Sequence, residues 1–297
     1  MGDGLFPHMR LRPAVLLALA SCVGSFLLVY RGVLLKLAHD WATDDNYSHG
    51  FLIAPMSLYF AYERRLLLER AGRRPSSWGL AWIVASLALL VAGTLGAELF
   101  LTRISIVGLL VGVVLFLWGP AHARILAFPI AFLLLMIPLP AIVFNRIAFP
   151  LQLIASRFGE TALQLFGIPV LREGNVMILA NTTLEVAEAC SGIRSLVSLL
   201  ALGIVLGYFS DSRSWVRTAV AIATIPVAIV ANGVRVAGTG IAAHRIGAEA
   251  ATGFLHTFSG WLVFVVAFAL LLAIQRALVT LAPNTAQGAT PAAAHAA

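Results

Sequence analysis

Charge is scarce in this chain. Asp, Glu, Lys and Arg together make up 11% of its 297 residues. A soluble protein of this length needs a charged surface around its core, and this sequence cannot supply one. Apolar residues stand in that place, at 60% of the chain and a mean hydropathy of +0.94. The composition excludes an ordinary soluble domain and reads as a polytopic membrane protein. Cysteine is almost absent: Cys22 lies midway along the first apolar run and Cys190 at a polar–apolar boundary, so a disulfide between them is not expected. A cleavage site is missing too. The first apolar run, from Pro13, is long and has no small-residue site ahead of a soluble domain, so no cleavable signal peptide is expected. The net charge of +7 carries no nucleic-acid message, because Lys and Arg in such a chain mainly report topology.

A membrane-crossing helix needs about 20 apolar residues. Eight stretches qualify: Pro13–Leu34, Tyr47–Tyr62, Trp78–Leu99, Ile104–Gly119, Ala123–Phe144, Ser191–Phe209, Val216–Ala237 and Leu255–Ile274, the second and fourth being short. With the N-terminus inside, the inner loops receive eleven of the twenty basic residues against four acids, among them the Arg-rich loop "ERRLLLERAGRRP". The outer side holds the other nine basic residues and nine acids. The positive-inside rule therefore favours both termini inside. The expected fold is an all-α multi-pass membrane protein of about eight spans, with one integral domain over residues 1–282 and a disordered Ala/Thr/Pro-rich tail over 283–297.

Between the fifth and sixth spans lies an outer segment, Asn145 to Cys190, that is not a clean span. "NRIAFPLQLIASRFGETALQLFG" has apolar residues at helical spacing with Arg and Glu between them, as in a helix that lies in the interface or dips into the bilayer. After it, "Glu-Gly-Asn" and "Ala-Asn-Thr-Thr" are turn signals on either side of the apolar run Val176–Leu179. They predict a small extracytoplasmic β-hairpin or three-stranded patch that delivers the chain to Cys190.

Polar residues within spans or at their ends are costly and call for a reason. Three fall at one depth on this topology: Cys190 opening the sixth span, Arg235 near the outer end of the seventh, and His256 at the start of the eighth. A cysteine in the first turn of a helix is biased toward thiolate by the helix dipole and free N–H groups, and a nearby cation strengthens the bias. Thiolate attack on a peptide carbonyl gives a thioester. An imidazole can exchange protons with the thiol and the leaving amine. A guanidinium can donate to the oxyanion of the tetrahedral intermediate. Taken singly, each has a plain structural explanation: inert packing for the cysteine, snorkelling for the arginine, contact with water for the histidine.

The segments "EACSGIRSL", "ANGVRV" and "GFLHTFSGW", in this order and each opening or closing a span, resemble the exosortase/archaeosortase family. So does "DDNYSHGFLIAPMSLYFAYERR" near the second span, and the resemblance runs from about Trp41 to Arg276. It implies an integral membrane cysteine transpeptidase with Cys190, Arg235 and His256 as its catalytic set. It also implies a substrate class: exported proteins bearing a short Pro-Glu-Pro-like motif, a transmembrane helix and a basic tail at the C-terminus. Cleavage would take place at the outer face of the cytoplasmic (inner) membrane, with transfer to an acceptor amine or to water. Histidine as the third element matches the bacterial branch. Some bacterial members carry an additional soluble C-terminal domain that these residues do not include.

Several neighbours are supporting candidates with open readings. Glu188 can orient a cation or bind substrate, or simply be a solvated loop acid. Ser191 can cap the sixth span. Arg194 is a second cation for the site or a topological anchor. Asn232, one turn before Arg235, can buttress the guanidinium or make an interhelical hydrogen bond. His49 is the rival to His256 as base. A metal site from His49 with Asp44, Asp45 or His244 lacks a closely spaced ligand pair, and no metal or cofactor is expected. Beyond the exported substrates and the surrounding lipids, no partner is implied, and no nucleic acid. The competing class is a transporter or polysaccharide-export component, prompted by the proline-interrupted "FPIAFLLLMIPLPAIVF". Against it, polar residues gather at one face rather than at the bilayer centre.

Overall fold

The computed structural model describes residues 13–180, 182–186, 193–211, 213–247 and 253–281. The chain forms two compact units, Met1–Pro138 and Leu139–Ala297.

The first unit contains α1 (Pro13–Thr43), α2 (Gly50–Glu63), α3 (Arg65–Arg70), α4 (Trp78–Leu95), α5 (Leu99–Leu117) and α6 (Pro120–Phe132), the last followed by a 3₁₀ turn at Leu133–Met136. Its centre is the α4–α5 hairpin, where glycines let two backbones meet. A Cβ added to Gly79 would sit 2.2 Å from the amide nitrogen of Phe116, and one on Gly112 would sit 2.8 Å from that of Ile83. Lipid gives no hydrophobic gain for helix association, so such close approach supplies the dispersion contacts that hold the pair. The hairpin is fixed at its other end by Gly119, whose φ is +88° and whose added Cβ would lie 1.8 Å from the Arg74 carbonyl oxygen.

Helix α1 continues nine residues beyond the expected end of its span because Leu35–Thr43 contains no glycine or proline. Helix α5 starts five residues earlier than expected, capped by the Glu98 carboxylate, which accepts from the amide of Phe100 at 3.1 Å. Three charges expected in outer loops therefore lie on helices. Lys36 and Asp40 pair at 2.9 Å one turn apart on α1, and Asp40 also binds the buried guanidinium of Arg103 on α5. Tyr30 and Ser105, at 3.1 Å, add a second polar tie between these helices.

Two expected spans take different forms. Helix α2 has 14 residues, about 21 Å of rise, short of a hydrocarbon core of about 30 Å. The fifth is broken. Pro138 and Pro140 cannot donate backbone hydrogen bonds, and each pushes its predecessor toward extended backbone, so the helix ends before them and restarts at Ala141. Among the described residues six helices are long and apolar enough to cross a membrane, or seven if the broken pair counts as one span. The expected all-α multi-pass class stands with that count.

The second unit consists of α7 (Ala141–Leu165), strands β1 (Val170–Glu173), β2 (Val176–Leu179) and β3 (Thr183–Glu185), and helices α8 (Ile193–Ser210), α9 (Ser214–Ile246) and α10 (Gly253–Leu281). Helix α7 is the expected amphipathic segment. Its buried residues Ala148, Gln152, Ala155, Gly159 and Leu163 recur at helical spacing along one face. The three strands form an antiparallel meander in the order β1-β2-β3, with Gly174 and Asn175 at the first turn, where a turn signal lies, and the Leu179 amide donating to the Thr182 carbonyl at 2.8 Å where β2 gives way to β3. Met177 pairs with Leu184, so both point to one face, and with Leu179 they pack on Ala155, Leu163 and Val236. The sheet is tied to α7 by the Glu160–Arg172 ion pair at 2.6 Å and by the Ser156 hydroxyl, which donates to the Gly174 carbonyl at 3.0 Å.

The α8–α9 turn is organised by Asp211. The side chain and the amide of Arg213 both donate to its carboxylate, holding its pKa down at about 2. Stabilisation from a depressed carboxylate is complete above the unfolded value of about 4 and lost as pH falls through about 2. Thermal unfolding in detergent should accordingly show wild type losing its advantage over Asp211→Asn between pH 5 and 2. For the α4–α5 hairpin, Gly112→Leu is expected to cost about 1–3 kcal/mol by overpacking. Gly24→Leu, where a Cβ meets nothing within 4 Å, should be near neutral; equal melting points for the two would contradict the packing described.

Candidate active site

Helix α9 carries the centre of the site and is longer than its sequence suggested. Its 33 residues rise about 50 Å, and it continues past Ala237 to Ile246. The segment Asn232–Gly240 contains three glycines and is a poor helix former by propensity. Packing overrides propensity here. A Cβ on Gly233 would meet the Phe158 ring at 2.7 Å, and one on Gly240 would meet Leu163 at 3.0 Å. From the opposite side, a Cβ on Gly159 would lie 2.8 Å from Val236. The glycines are thus the contact surface between α9 and α7. The helix stops at Gly247, whose φ of +109° suits a residue without a side chain.

Arg235 lies on a different face of the same helix. Its guanidinium rests against Gly260 of α10: a Cβ there would fall 3.0 Å from Nη2 and 3.1 Å from Cζ. With a side chain at 260 the guanidinium would have to give way by a few tenths of an ångström or more. Asn232 is buried, three residues before Arg235 on α9. Both residues are engaged by further interactions, as is Arg194 in the first turn of α8.

The packing of α8, α9 and α10 sets their relative register. Leu199, Val227, Ala228 and Ala267 form one buried cluster, and Leu196, Ala231 and Phe264 pack against it. Each of these three is three or four residues from a cluster member, in the direction of Ile193, Arg235 and Gly260 respectively. One further turn on each helix reaches Ile193, Arg235 and Gly260. The start of α8 is therefore level with the arginine and with the glycine that accommodates it. Position 256 is one turn before Gly260 on α10 and shares its face.

The described residues of α8, α9 and α10 do not include every expected site residue. Cys190, Glu188 and Ser191 lie outside the described residues. For His256 the structure describes the backbone, in the first turn of α10. His49 is in the other unit, where its Nε2 donates to the Leu135 carbonyl at 3.0 Å and fastens the start of α2 to the 3₁₀ turn. Trp41 of α1 donates to the Met136 carbonyl of the same turn at 2.9 Å, its indole packed against Gly50. Asp44 accepts from the amide of Asn46 at 2.9 Å in a local turn. No group of three or more His, Cys, Asp or Glu suited to a metal ion occurs among the described residues. Sequence reasoning missed Gly260. Its signal was the small residue one turn after a histidine in an otherwise bulky segment, "HTFSGW".

These features define a class: a multi-pass helical membrane protein in which three helices meet around an arginine-bearing face. The family model for transmembrane exosortases matches residues 41–273, well over half of the chain, and the chain belongs to that family. It is a family of cysteine transpeptidases that process C-terminal sorting signals. No curated protein and no solved structure matches the chain.

Gly260→Leu should displace the guanidinium while leaving the helices intact. In cells producing an exported protein with a family-type sorting signal, we expect its processing to fall about 100-fold, the scale of a misplacement near 1 Å. Gly238→Leu, with nothing within 4 Å of its added Cβ, should process normally. Normal processing by Gly260→Leu would mean that the seat on Gly260 does not matter for processing.

Proposed function

We propose that this protein is a cysteine transpeptidase of the cytoplasmic membrane, with Cys190 as nucleophile, Arg235 as oxyanion donor and His256 as proton carrier. The observation that supports it best is the seating of Arg235 on Gly260, one turn from position 256 and level with the start of α8. Cys190 is three residues before Ile193, a reach of at most about 10 Å. On the other side the chain is held at Val186, whose amide donates to the Asn175 carbonyl at 2.9 Å and whose carbonyl accepts from the Asn175 side chain at 3.2 Å. Val186 and Val236 belong to the same buried cluster, so the strand leading toward the cysteine runs beside the arginine-bearing helix.

The reaction follows from these roles. The Cys190 thiolate attacks the scissile carbonyl and forms the C–S bond. The oxyanion of the tetrahedral intermediate accepts hydrogen bonds from Arg235. The C–N bond breaks as His256 protonates the leaving amine, and the membrane-anchoring tail departs. An acceptor amine, or water, then attacks the thioester, and its proton returns to His256 as the thiolate leaves. Glu188, Ser191, Arg194 and Asn232 would orient these groups. The substrates are exported proteins with a Pro-Glu-Pro-like motif, a transmembrane helix and a basic tail. With both termini inside, as the loop charges favour, such a tail inserts beside the enzyme with its basic end inside. The scissile motif then sits at the outer face, level with the nucleophile.

The test is co-expression with one such substrate, followed by mass analysis of its new C-terminus, where water and an amine acceptor give different masses. Cys190→Ala should abolish cleavage while the protein still accumulates in the membrane, and Arg235→Ala and His256→Ala should lose activity. Cys22→Ala, on an exposed stretch of α1, should not. Normal cleavage by Cys190→Ala sinks the mechanism.

A further inference from the structure

The first unit holds a cavity of about 360 Å³ between α1, α4 and α5, a volume within the range of ligand pockets. Its walls include Val33, Leu90 and Gly93 on the apolar side and Thr102, Lys36 and Arg103 on the polar side. Asp40 is not part of the lining, although it pairs with both cations. Two positive groups thus face the cavity, with one carboxylate set back from it. The cluster's formal charge is +1.

Arg103 is the informative residue. It is 3% exposed, and its Nε is buried with no hydrogen-bond partner among the described residues. A buried donor on a charged group is expensive to leave unmet. The Asp40 carboxylate takes Nη2 and leaves Nε over. Lys36 is half-exposed at the cavity and is the only lysine in the chain. Arg103 lies four residues into α5, about 6 Å below the helix start, so the cations sit within the helix bundle but near its end. The apolar wall of the cavity, Val29, Val33 and Leu90, runs from these cations away from that end.

We propose that this cavity binds one anionic phospholipid, its phosphodiester held by Lys36 and Arg103 and its acyl chains lying along Val33 and Leu90. The charge fits. A phosphodiester with an uncharged head alcohol carries −1 and balances the cluster, whereas a choline head adds a cation beside two others. The phosphate also adds a second anion beside the single carboxylate that Arg103 and Lys36 share. With the N-terminus inside, the lipid belongs to the outer leaflet.

The single lysine gives a direct test. The full-length protein is reconstituted in vesicles of phosphatidylglycerol or of phosphatidylcholine and treated with an uncharged amine-acylating reagent. An amine introduced by Arg31→Lys, on the exposed side of the same helix, corrects for the surface potential of the vesicles. Acylation of Lys36, relative to that control, should be about fivefold slower in phosphatidylglycerol, the effect of one cation paired at an anionic surface. Mass spectrometry of protein released in mild detergent should find one retained phosphatidylglycerol on wild type and Lys36→Arg, and none on Lys36→Gln. Equal acylation in the two vesicle types overturns the proposal. So does equal retention of phosphatidylcholine, which would mean acyl packing alone. Protection of Lys36 by inorganic phosphate in detergent, to the same degree as by the lipid, would overturn the lipid in favour of a free anion.

Discussion

Two helices meeting in lipid gain nothing from expelling hydrocarbon, since a leucine is as apolar as the tail it displaces. What remains is dispersion at close range, and this chain obtains it by removing side chains at the contacts. Gly79 and Gly112 do so between α4 and α5, and Gly159, Gly233 and Gly240 between α7 and α9. The second set has the larger consequence. Because α7 lies directly on α9, the sheet that α7 supports is brought beside Val236, and Val186, just after its last strand, packs in the same cluster. Gly260 extends the same device from a helix contact to a charged side chain. There the missing side chain is replaced by a guanidinium rather than by another backbone.

The class of fold was legible because a membrane helix and a turn each have a strong local signal. A 20-residue apolar run has few soluble alternatives. "Glu-Gly-Asn" before "VMIL" placed the first hairpin turn where it occurs, at Gly174 and Asn175. Boundaries were less legible, and the errors share one cause. Hydropathy ends where polar residues begin, but a helix ends where its hydrogen bonding ends. Lys36, Asp40 and Arg103 looked like loop residues and lie on helices, because their charges are matched with one another. Packing had a similar outcome at α9, which runs nine residues beyond Ala237 with Gly240 set against Leu163 of α7. In the opposite sense, Pro138 and Pro140 are apolar enough to pass as membrane sequence, yet they end a helix.

For the candidate site, the arginine was legible and the geometry around it was not. Arg235 stood out as a charge within a span. The reason it can lie against α10 is a missing atom at Gly260, and a sequence shows a glycine without showing what fills its space. His49 illustrates the converse. A histidine after two aspartates suggests chemistry, whereas its ring fastens α2 to the carbonyl of Leu135. The ambiguity is inherent in imidazole, whose N–H serves a backbone carbonyl as readily as a substrate.

Asn175 has a role that reaches beyond the turn it forms. By gripping Val186 through both its backbone carbonyl and its side chain, it makes the sheet an anchorage from which only six residues lead to Ile193. The grip closes the meander at the end of β3, so this last strand cannot peel away from β2 without breaking two hydrogen bonds to a single residue. One asparagine thus serves as both the turn and the clasp of the sheet.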